Sequence, residues 1–292
     1  MFNIPVTFAL DLCRKDHIAP ECQLDEFAAA GGKYVVLSHE IIRDIMADFR
    51  QAKYWESLLS DRGIEFCDSH SPFGNMLDLN CIDPAFRQQM ILRHKLAIEI
   101  AASLGVKTIT IHPGSDRFAP EVPLEQHWQL MRRGLDELLP YAEKCNIIVA
   151  IENSMSRAAC PENVVMLKNE YPTRHLGLCY DSGHAHQFTA GKLFSDSTVR
   201  KCWQAVGEAE PKWDDAVLEK MLPEIVSCHL HDNNGSGDTH NLPGDGTIDW
   251  PKVITLLKKA PRLKSLQCEV KMFGRYSITQ TCNCFREHGI WS

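Results

Sequence analysis

Histidine or an acidic residue closes each of six successive apolar segments of the sequence. Imidazole and carboxylate groups are the ligands with which proteins hold Zn²⁺, Mn²⁺, Co²⁺ and Mg²⁺. A single such residue at a strand end is usually a cap or a surface residue. Six in register would bury uncompensated charge, at a cost on the order of several kcal/mol. The pattern therefore predicts a divalent metal centre where the segments end. The six residues are His70, His112, Glu152, Asp181, His229 and Glu269.

Three further residues with ligand side chains lie near these segment ends. His184 comes three positions after the residue that closes the fourth of the six segments. Asp238 and His240 lie two positions apart in a glycine-rich stretch, which suits a loop that folds back over a site. We treat these three as possible additional ligands. His186 and His231 stand apart from the pattern and are expected to be structural or to support the ligands.

The apolar segments are short and are separated by stretches with helical period. Ala85–Leu104, for example, repeats apolar residues every three or four positions, which predicts a helix. Eight strand–helix units joined by right-handed crossovers close into a (β/α)8 barrel, in which all strand ends converge on one rim. An open doubly wound sheet is the rival, but Asp11–Lys15 offers no glycine-rich phosphate loop after the first strand. The predicted strands are Ile4–Leu10, Tyr34–Leu37, Ile64–Cys67, Val106–Ile111, Ile147–Ile151, Leu176–Tyr180, Ile225–Leu230 and Leu263–Val270.

The length of the chain suits a single domain. A (β/α)8 barrel usually takes about 250 residues, and this chain has 292 without a linker or a low-complexity tract. Residues 1–292 are therefore predicted to form one α/β barrel domain. The main insertion, at about 192–222, carries Trp203 and Trp213. We expect it to cover one side of the site or to form an interface in a homo-oligomer.

Composition and charge favour a small-molecule partner. A formal net charge of −7 disfavours nucleic acid, whose binding proteins usually present a basic face. No segment approaches the roughly 18 apolar residues of a membrane span, and Asp11 interrupts the apolar N-terminus, so neither a span nor a signal peptide is predicted. The twelve cysteines form no Cys-x-x-Cys pair, which indicates free thiols. We expect a cytoplasmic location.

The motifs at the strand ends resemble the xylose-isomerase-like barrel superfamily, and the resemblance covers nearly the whole chain. This superfamily contains sugar and sugar-phosphate isomerases and epimerases together with endonuclease IV. No single motif is specific, but the combination is. The resemblance is carried by Ser69-His-Ser-Pro-Phe73, Ile111-His-Pro-Gly114, Ile151-Glu-Asn153, Leu178-Cys-Tyr-Asp-Ser-Gly-His184, the seventh-strand loop His229–Asp249 and Cys268-Glu269.

The isomerase and epimerase branch implies one metal ion and a pair of proton-transfer groups. The residues that match its metal ligands are Glu152, Asp181, His229 and Glu269. Glu152 and Glu269 also match the acid/base pair, and His184 matches a position that contacts substrate oxygens. His70 and His112 are further candidates for substrate contact. The resemblance thus implies an aldose–ketose isomerase or a C3-type epimerase that acts through an enediolate, with Mn, Co, Zn or Mg as cofactor.

Three other functions fit the same residues. In endonuclease IV, nine residues hold three zinc ions for cleavage at abasic DNA, and all nine have counterparts here. They are His70, His112, Glu152, Asp181, His184, His229, Asp238, His240 and Glu269. Against this reading, we find no rim loop that combines arginines with an aromatic wedge for flipping a nucleotide. A lyase or dehydratase could use the same metal platform, and a barrel that binds sugar or metal without turnover is the third alternative.

Overall fold

Eight parallel strands close into a barrel in the computed structural model, which describes residues 2–13 and 18–291. Each strand pairs with its neighbours in chain order, and the last pairs with the first through Val6 and Leu266. Every predicted strand segment overlaps one of them, although β3, β5 and β6 end beyond the predicted segments, so the barrel is confirmed and the open sheet is excluded. The strands are β1 Val6–Phe8, β2 Tyr34–Leu37, β3 Glu65–His70, β4 Thr108–Ile111, β5 Ile148–Glu152, β6 Leu176–Asp181, β7 Ile225–Leu230 and β8 Leu266–Cys268.

Helices surround the barrel and connect its strands. The helix predicted over Ala85–Leu104 is present as Pro84–Ser103, and the Asp83 side chain caps it by accepting from the backbone N–H of Ala85. In the described part of the chain the helices are α1 Pro20–Ala29, α2 His39–Ala47, α3 Arg50–Ser60, α4 Pro84–Ser103, α5 Leu124–Lys144, α6 Pro161–Asn169, α7 Ser182–Ala190, α8 Thr198–Gln204, α9 Val217–Met221, α10 Trp250–Leu257 and α11 Ile278–Glu287.

The main core lies between the strands and the helices. Successive side chains of a strand point to opposite faces. In β5, Val149 and Ile151 belong to this main apolar core, whereas Ala150 belongs to a small separate cluster with Cys179 and Val226. Glu152 shares the parity of Ala150. The alternation therefore aims Glu152 into the barrel, at the carboxyl end of the strand where the active sites of such barrels lie.

The segment after β6 packs against the loop that follows β5. Trp203 donates its indole N–H to the carbonyl oxygen of Met155 at 3.2 Å, and Glu208 forms an ion pair with Arg157 at 2.8 Å. Arg157 also pairs with Asp116 in the loop after β4. These contacts attach the predicted insertion to the rim formed by the strand ends. A role in covering the site or in an interface stays a prediction.

Two sequence-based expectations concern the whole chain. All twelve cysteines are free thiols, as their spacing predicts. Among the helices of residues 2–13 and 18–291, none is long and apolar enough to span a bilayer.

Candidate metal centre

Four of the predicted ligands converge on one point at the carboxyl end of the barrel. Glu152 and Asp181 are the last residues of β5 and β6, His229 lies near the end of β7, and Glu269 follows β8 directly. The Nδ1 atom of His229 lies 3.5 Å from Oε1 of Glu152, 4.0 Å from Oδ2 of Asp181 and 3.4 Å from Oε2 of Glu269. Three carboxylates therefore face one imidazole nitrogen inside the barrel.

These separations from His229 suit a divalent cation, and Asp181, His229 and Glu269 each place a ligand atom within 4.8 Å of the others. Ligand atoms about 2.0–2.2 Å from a tetrahedral ion lie roughly 3.4 Å from one another. In addition, Nδ1 of His229 is buried and forms no hydrogen bond in the described structure. Buried polar atoms normally have a partner, so an unpartnered nitrogen at this point indicates a missing one. A cation bound beside His229 would account both for the separations and for the missing partner.

A second group of side chains faces the other carboxylate oxygen of Glu152. Nε2 of His112 lies 3.1 Å from Oε2 of Glu152, and Nε2 of His70 lies 3.7 Å from it. The opposite nitrogen of His70 donates to the carbonyl oxygen of Ser71 at 2.8 Å, and Nδ1 of His112 lies 3.8 Å from Oδ1 of Asp78. Imidazoles that bind metals are oriented in this way by a partner on the far nitrogen.

A third group forms around Asp238 on the loop after β7. Nε2 of His184 lies 3.6 Å from Oδ2 of Asp238, and Nε2 of His240 lies 3.1 Å from the same oxygen. Backbone carbonyl oxygens of Asn153 and Glu269 accept from the Nδ1 atoms of these two histidines, at 2.9 and 2.7 Å. The structure thus brings together all nine residues that the sequence marked, in three adjoining groups.

Opposite charges within the cluster shift its pKa values strongly. Burial alone would raise the pKa of Glu152, but the imidazoles of His229 and His112 hold it well below its usual range. Burial alone would lower the pKa of His184, but the carboxylates of Asp181 and Asp238 hold it well above its usual range. Without a metal, protonated imidazoles therefore supply the positive charge that the buried carboxylates need.

The sequence analysis missed one residue that lies beside the second group. His39 lies two residues after the last residue of β2, so the strand-end pattern that marked six other strands extends to it. Its ring centroid lies 4.6 Å from that of Phe73, and Phe73 lies 4.6 Å from the ring of His112. Phe73 is 41% exposed. The mouth of the site therefore includes an aromatic wall beside the second group.

The two histidines that were set apart have different surroundings. His231 is fully buried, with Nε2 3.1 Å from Oδ2 of Asp181 and its ring stacked on His240 at 3.8 Å. It therefore supports a predicted ligand. His186 forms a hydrogen bond with the hydroxyl group of Thr247 at 2.8 Å.

A closed parallel barrel with carboxylates and imidazoles gathered at its carboxyl end defines the class of protein to which the chain belongs. The family described as xylose isomerase-like TIM barrel matches residues 24–281. The chain belongs to this family.

Curated relatives match part of their own length. The protein y4fM of Sinorhizobium fredii is 26% identical over 210 residues, which are 70% of this chain and 60% of that protein. The protein MJ1311 of Methanocaldococcus jannaschii is 27% identical over 199 residues, 65% of this chain and 59% of that protein. Both carry the description "uncharacterized". The chain thus spans about 60% of the length of these relatives.

Solved structures share the fold over nearly the whole chain. A D-tagatose 3-epimerase-like protein has a TM-score of 0.70 at 19% identity, with 90% of this chain and 91% of that one covered. D-psicose 3-epimerase in the presence of D-fructose has a TM-score of 0.68 at 13% identity, with 97% and 98% covered. The IolI protein with a bound zinc atom has a TM-score of 0.67 at 16% identity, with 98% and 96% covered. At these identities the likeness shows the fold.

Proposed function

We propose that the protein is a divalent-metal-dependent isomerase or epimerase of a sugar or a related polyhydroxy compound. The observation that carries the proposal is the placement of the Glu152 and Glu269 carboxylates within 3.5 Å of the same nitrogen of His229. Two carboxylates at one point can serve as the base and the acid of a proton transfer. The names of the structural neighbours, among them a D-tagatose 3-epimerase-like protein and D-psicose 3-epimerase, support a sugar substrate.

Glu152, Asp181, His229 and Glu269 would hold the cation. Their mixed oxygen and nitrogen donors suit Mn²⁺, Co²⁺, Zn²⁺ or Mg²⁺. When bound, the ion would supply Lewis-acid polarisation of a carbonyl group and the hydroxyl group beside it.

The protein's own side chains would move the proton. Neighbouring imidazoles hold the pKa of Glu152 low, so its carboxylate is ionised. This carboxylate would accept a proton from the carbon next to a carbonyl group, which yields an enediolate. Glu269, whose side chain is 24% exposed at the mouth, would return a proton from the other side of the substrate. His70, His112 and His184 would orient substrate hydroxyl groups through their ring nitrogens.

Proton exchange at carbon tests this function directly. The metal-loaded protein is incubated in D₂O with a panel of aldoses, ketoses and their phosphates. We expect deuterium at the carbon next to the carbonyl group of at least one sugar, together with an isomeric product. Mass spectrometry and NMR measure both. A product that has lost water would indicate the lyase alternative, and deuterium in no sugar of the panel would contradict the proposal.

A second candidate function is a multi-metal phosphodiesterase that acts at abasic sites in DNA. The observation that favours it is the gathering of nine ligand residues, with the two oxygens of Glu152 facing different groups. The net charge of −7 argues against a DNA-binding surface. An assay on duplex DNA with one abasic site distinguishes the two functions, because efficient nicking would favour the phosphodiesterase over the isomerase or epimerase.

A further inference from the structure

Asp232, three residues after His229, is a buried carboxylate that no ion pair in the described part of the chain neutralises. It is fully buried, and four N–H groups donate to it instead. Oδ1 accepts from the backbone of Asn233 at 2.8 Å and of Ile248 at 3.2 Å. Oδ2 accepts from the backbone of Gly244 at 2.9 Å and from the indole of Trp250 at 2.8 Å. Hydrogen bonds to an ionised group are stronger than neutral ones, so these four fix the surrounding loop firmly.

The four donors span the loop that carries Asp238 and His240. The backbone of Asp232 also pairs with that of Asn241 in both directions, at 2.9 Å each, which closes residues 233–240 into a short loop. A Cβ atom on Gly246 would lie 2.2 Å from Oδ1 of Asp232. The chain therefore approaches this carboxylate more closely than any side chain at position 246 would allow.

The same loop holds His240 in an unfavourable backbone conformation. Its φ angle is +48°, in the left-handed region that residues other than glycine rarely adopt. The backbone N–H of Lys271 donates to the carbonyl oxygen of His240 at 3.0 Å, and the pairing of Asp232 with Asn241 fixes the next residue. Such a conformation persists only where the surroundings determine it fully, and it is commonest at functional sites.

We propose that Asp232 is the positioning residue for Asp238 and His240, because the four hydrogen bonds to its carboxylate fix the loop that carries both side chains to the ligand cluster. Removal of the Asp232 charge would release the loop, with Asp238 and His240 on it. Glu152, Asp181, His229 and Glu269 lie on or directly after the strands and would keep their places. The inference rests on the proposed metal centre but not on the proposed reaction.

Titration of the metal-free protein with Co²⁺ tests this inference. Calorimetry gives the number of ions bound, and visible absorption reports their coordination. We expect the wild type to bind at least two ions, and both Asp232→Asn and Asp238→Asn to bind one of them at least tenfold more weakly. Asp116→Asn is the control for the loss of a buried carboxylate elsewhere, because Asp116 is also fully buried but forms an ion pair with Arg157 and lies far from the ligand loop in sequence. Its isotherm should match that of the wild type.

Two results would overturn the inference. One is an Asp232→Asn isotherm and spectrum identical to those of the wild type, and the other is a single bound ion that Asp238→Asn leaves unchanged. If circular dichroism shows that Asp232→Asn does not fold, Trp250→Phe removes only the indole donor, and it should weaken the same ion by a smaller factor. An unchanged isotherm there would also overturn it. A wild type that binds no Co²⁺ would overturn this inference and the metal centre together, whereas missing sugar turnover alone contradicts only the proposed reaction.

Discussion

The ligands on the strands and the ligands on the loop after β7 are positioned by different means. Asp181 and His229 are partners in the register of β6 and β7, and Glu152 pairs in the same way with Cys179 of β6. Closing the barrel is enough to bring these side chains together. Asp238 has no such register and depends on hydrogen bonds within residues 232–250.

The site therefore has a rigid part, which the strands position, and a second part whose position depends on the conformation of the loop after β7. The strand ligands can be displaced only by changes that disturb the barrel, whereas the loop ligands can be released by local opening. Sites on strands and helices are held more accurately than sites on loops. We therefore expect the strongest cation binding and the chemistry at the strand ends, with a weaker and more easily altered contribution from the loop.

The largest effect should follow from removing a proton-transfer group among the ligands at the strand ends. Glu269→Gln keeps the size of the side chain but removes its charge, so we expect kcat to fall about 10²–10⁴-fold, the contribution of a general acid or base. Binding of the cation should weaken only in part, because three other ligands remain. Deuterium exchange and calorimetry measure the two quantities. Exposed Glu287→Gln is the control, and unchanged turnover in Glu269→Gln would contradict the mechanism.

Two single substitutions compare the ligands at the strand ends with those on the loop after β7. Asp181→Asn should weaken the tightest Co²⁺ or Zn²⁺ ion more than about 100-fold, beyond the range seen when partners of metal ligands are removed. Asp238→Asn should weaken that same ion less than about tenfold. Competition with a chromophoric chelator measures both affinities. Equal losses in the two variants would show that the strands and the loop do not differ in this way.

Stability without metal should depend on pH through the buried cluster. The pKa values of His184 and His229 are raised well above 6.5, so their protonated forms contribute stability that is fully present below about 6.5 and is lost as the pH rises through the raised values. The Tm of the protein in EDTA should therefore fall as the pH rises from 6.5, by several degrees. Saturating Zn²⁺ should remove most of this fall, because the cation replaces the protons. Parallel Tm curves with and without metal would contradict this account.

The smallest effect should come from the aromatic wall beside the second group. Phe73 is partly exposed, and its ring centroid lies 5.0 Å from that of His70 in a T-shaped arrangement and 4.6 Å from that of His112 in a tilted one. Aromatic contacts of this kind contribute roughly 0.5–1.5 kcal/mol, so Phe73→Ala should raise KM about twofold to tenfold and change kcat less. Steady-state kinetics on the sugar identified by exchange measure the split. A large fall in kcat with KM unchanged would mean that Phe73 orders the reacting groups instead.

The ligands at the strand ends could be predicted from the sequence because the carboxyl ends of all strands in a parallel barrel meet at one rim. This rule placed Glu152, Asp181 and Glu269 at one rim, and it would have reached His39 if it had been applied to β2. The loop could not be placed in the same way. The positions of Asp238 and His240 depend on a buried carboxylate, on a glycine at 246 and on a left-handed residue. These features act through contacts between residues separated in the sequence, and the local periodicity of the sequence does not predict them.

Anomalous diffraction from crystals of the metal-loaded protein tests the central claim most directly. Data on either side of the Mn, Co or Zn absorption edge locate the ion and identify it. The account predicts a peak bound by Glu152, Asp181, His229 and Glu269, about 2.0–2.2 Å from their nearest oxygen and nitrogen atoms. Metal-loaded crystals with no peak among these four side chains would contradict it.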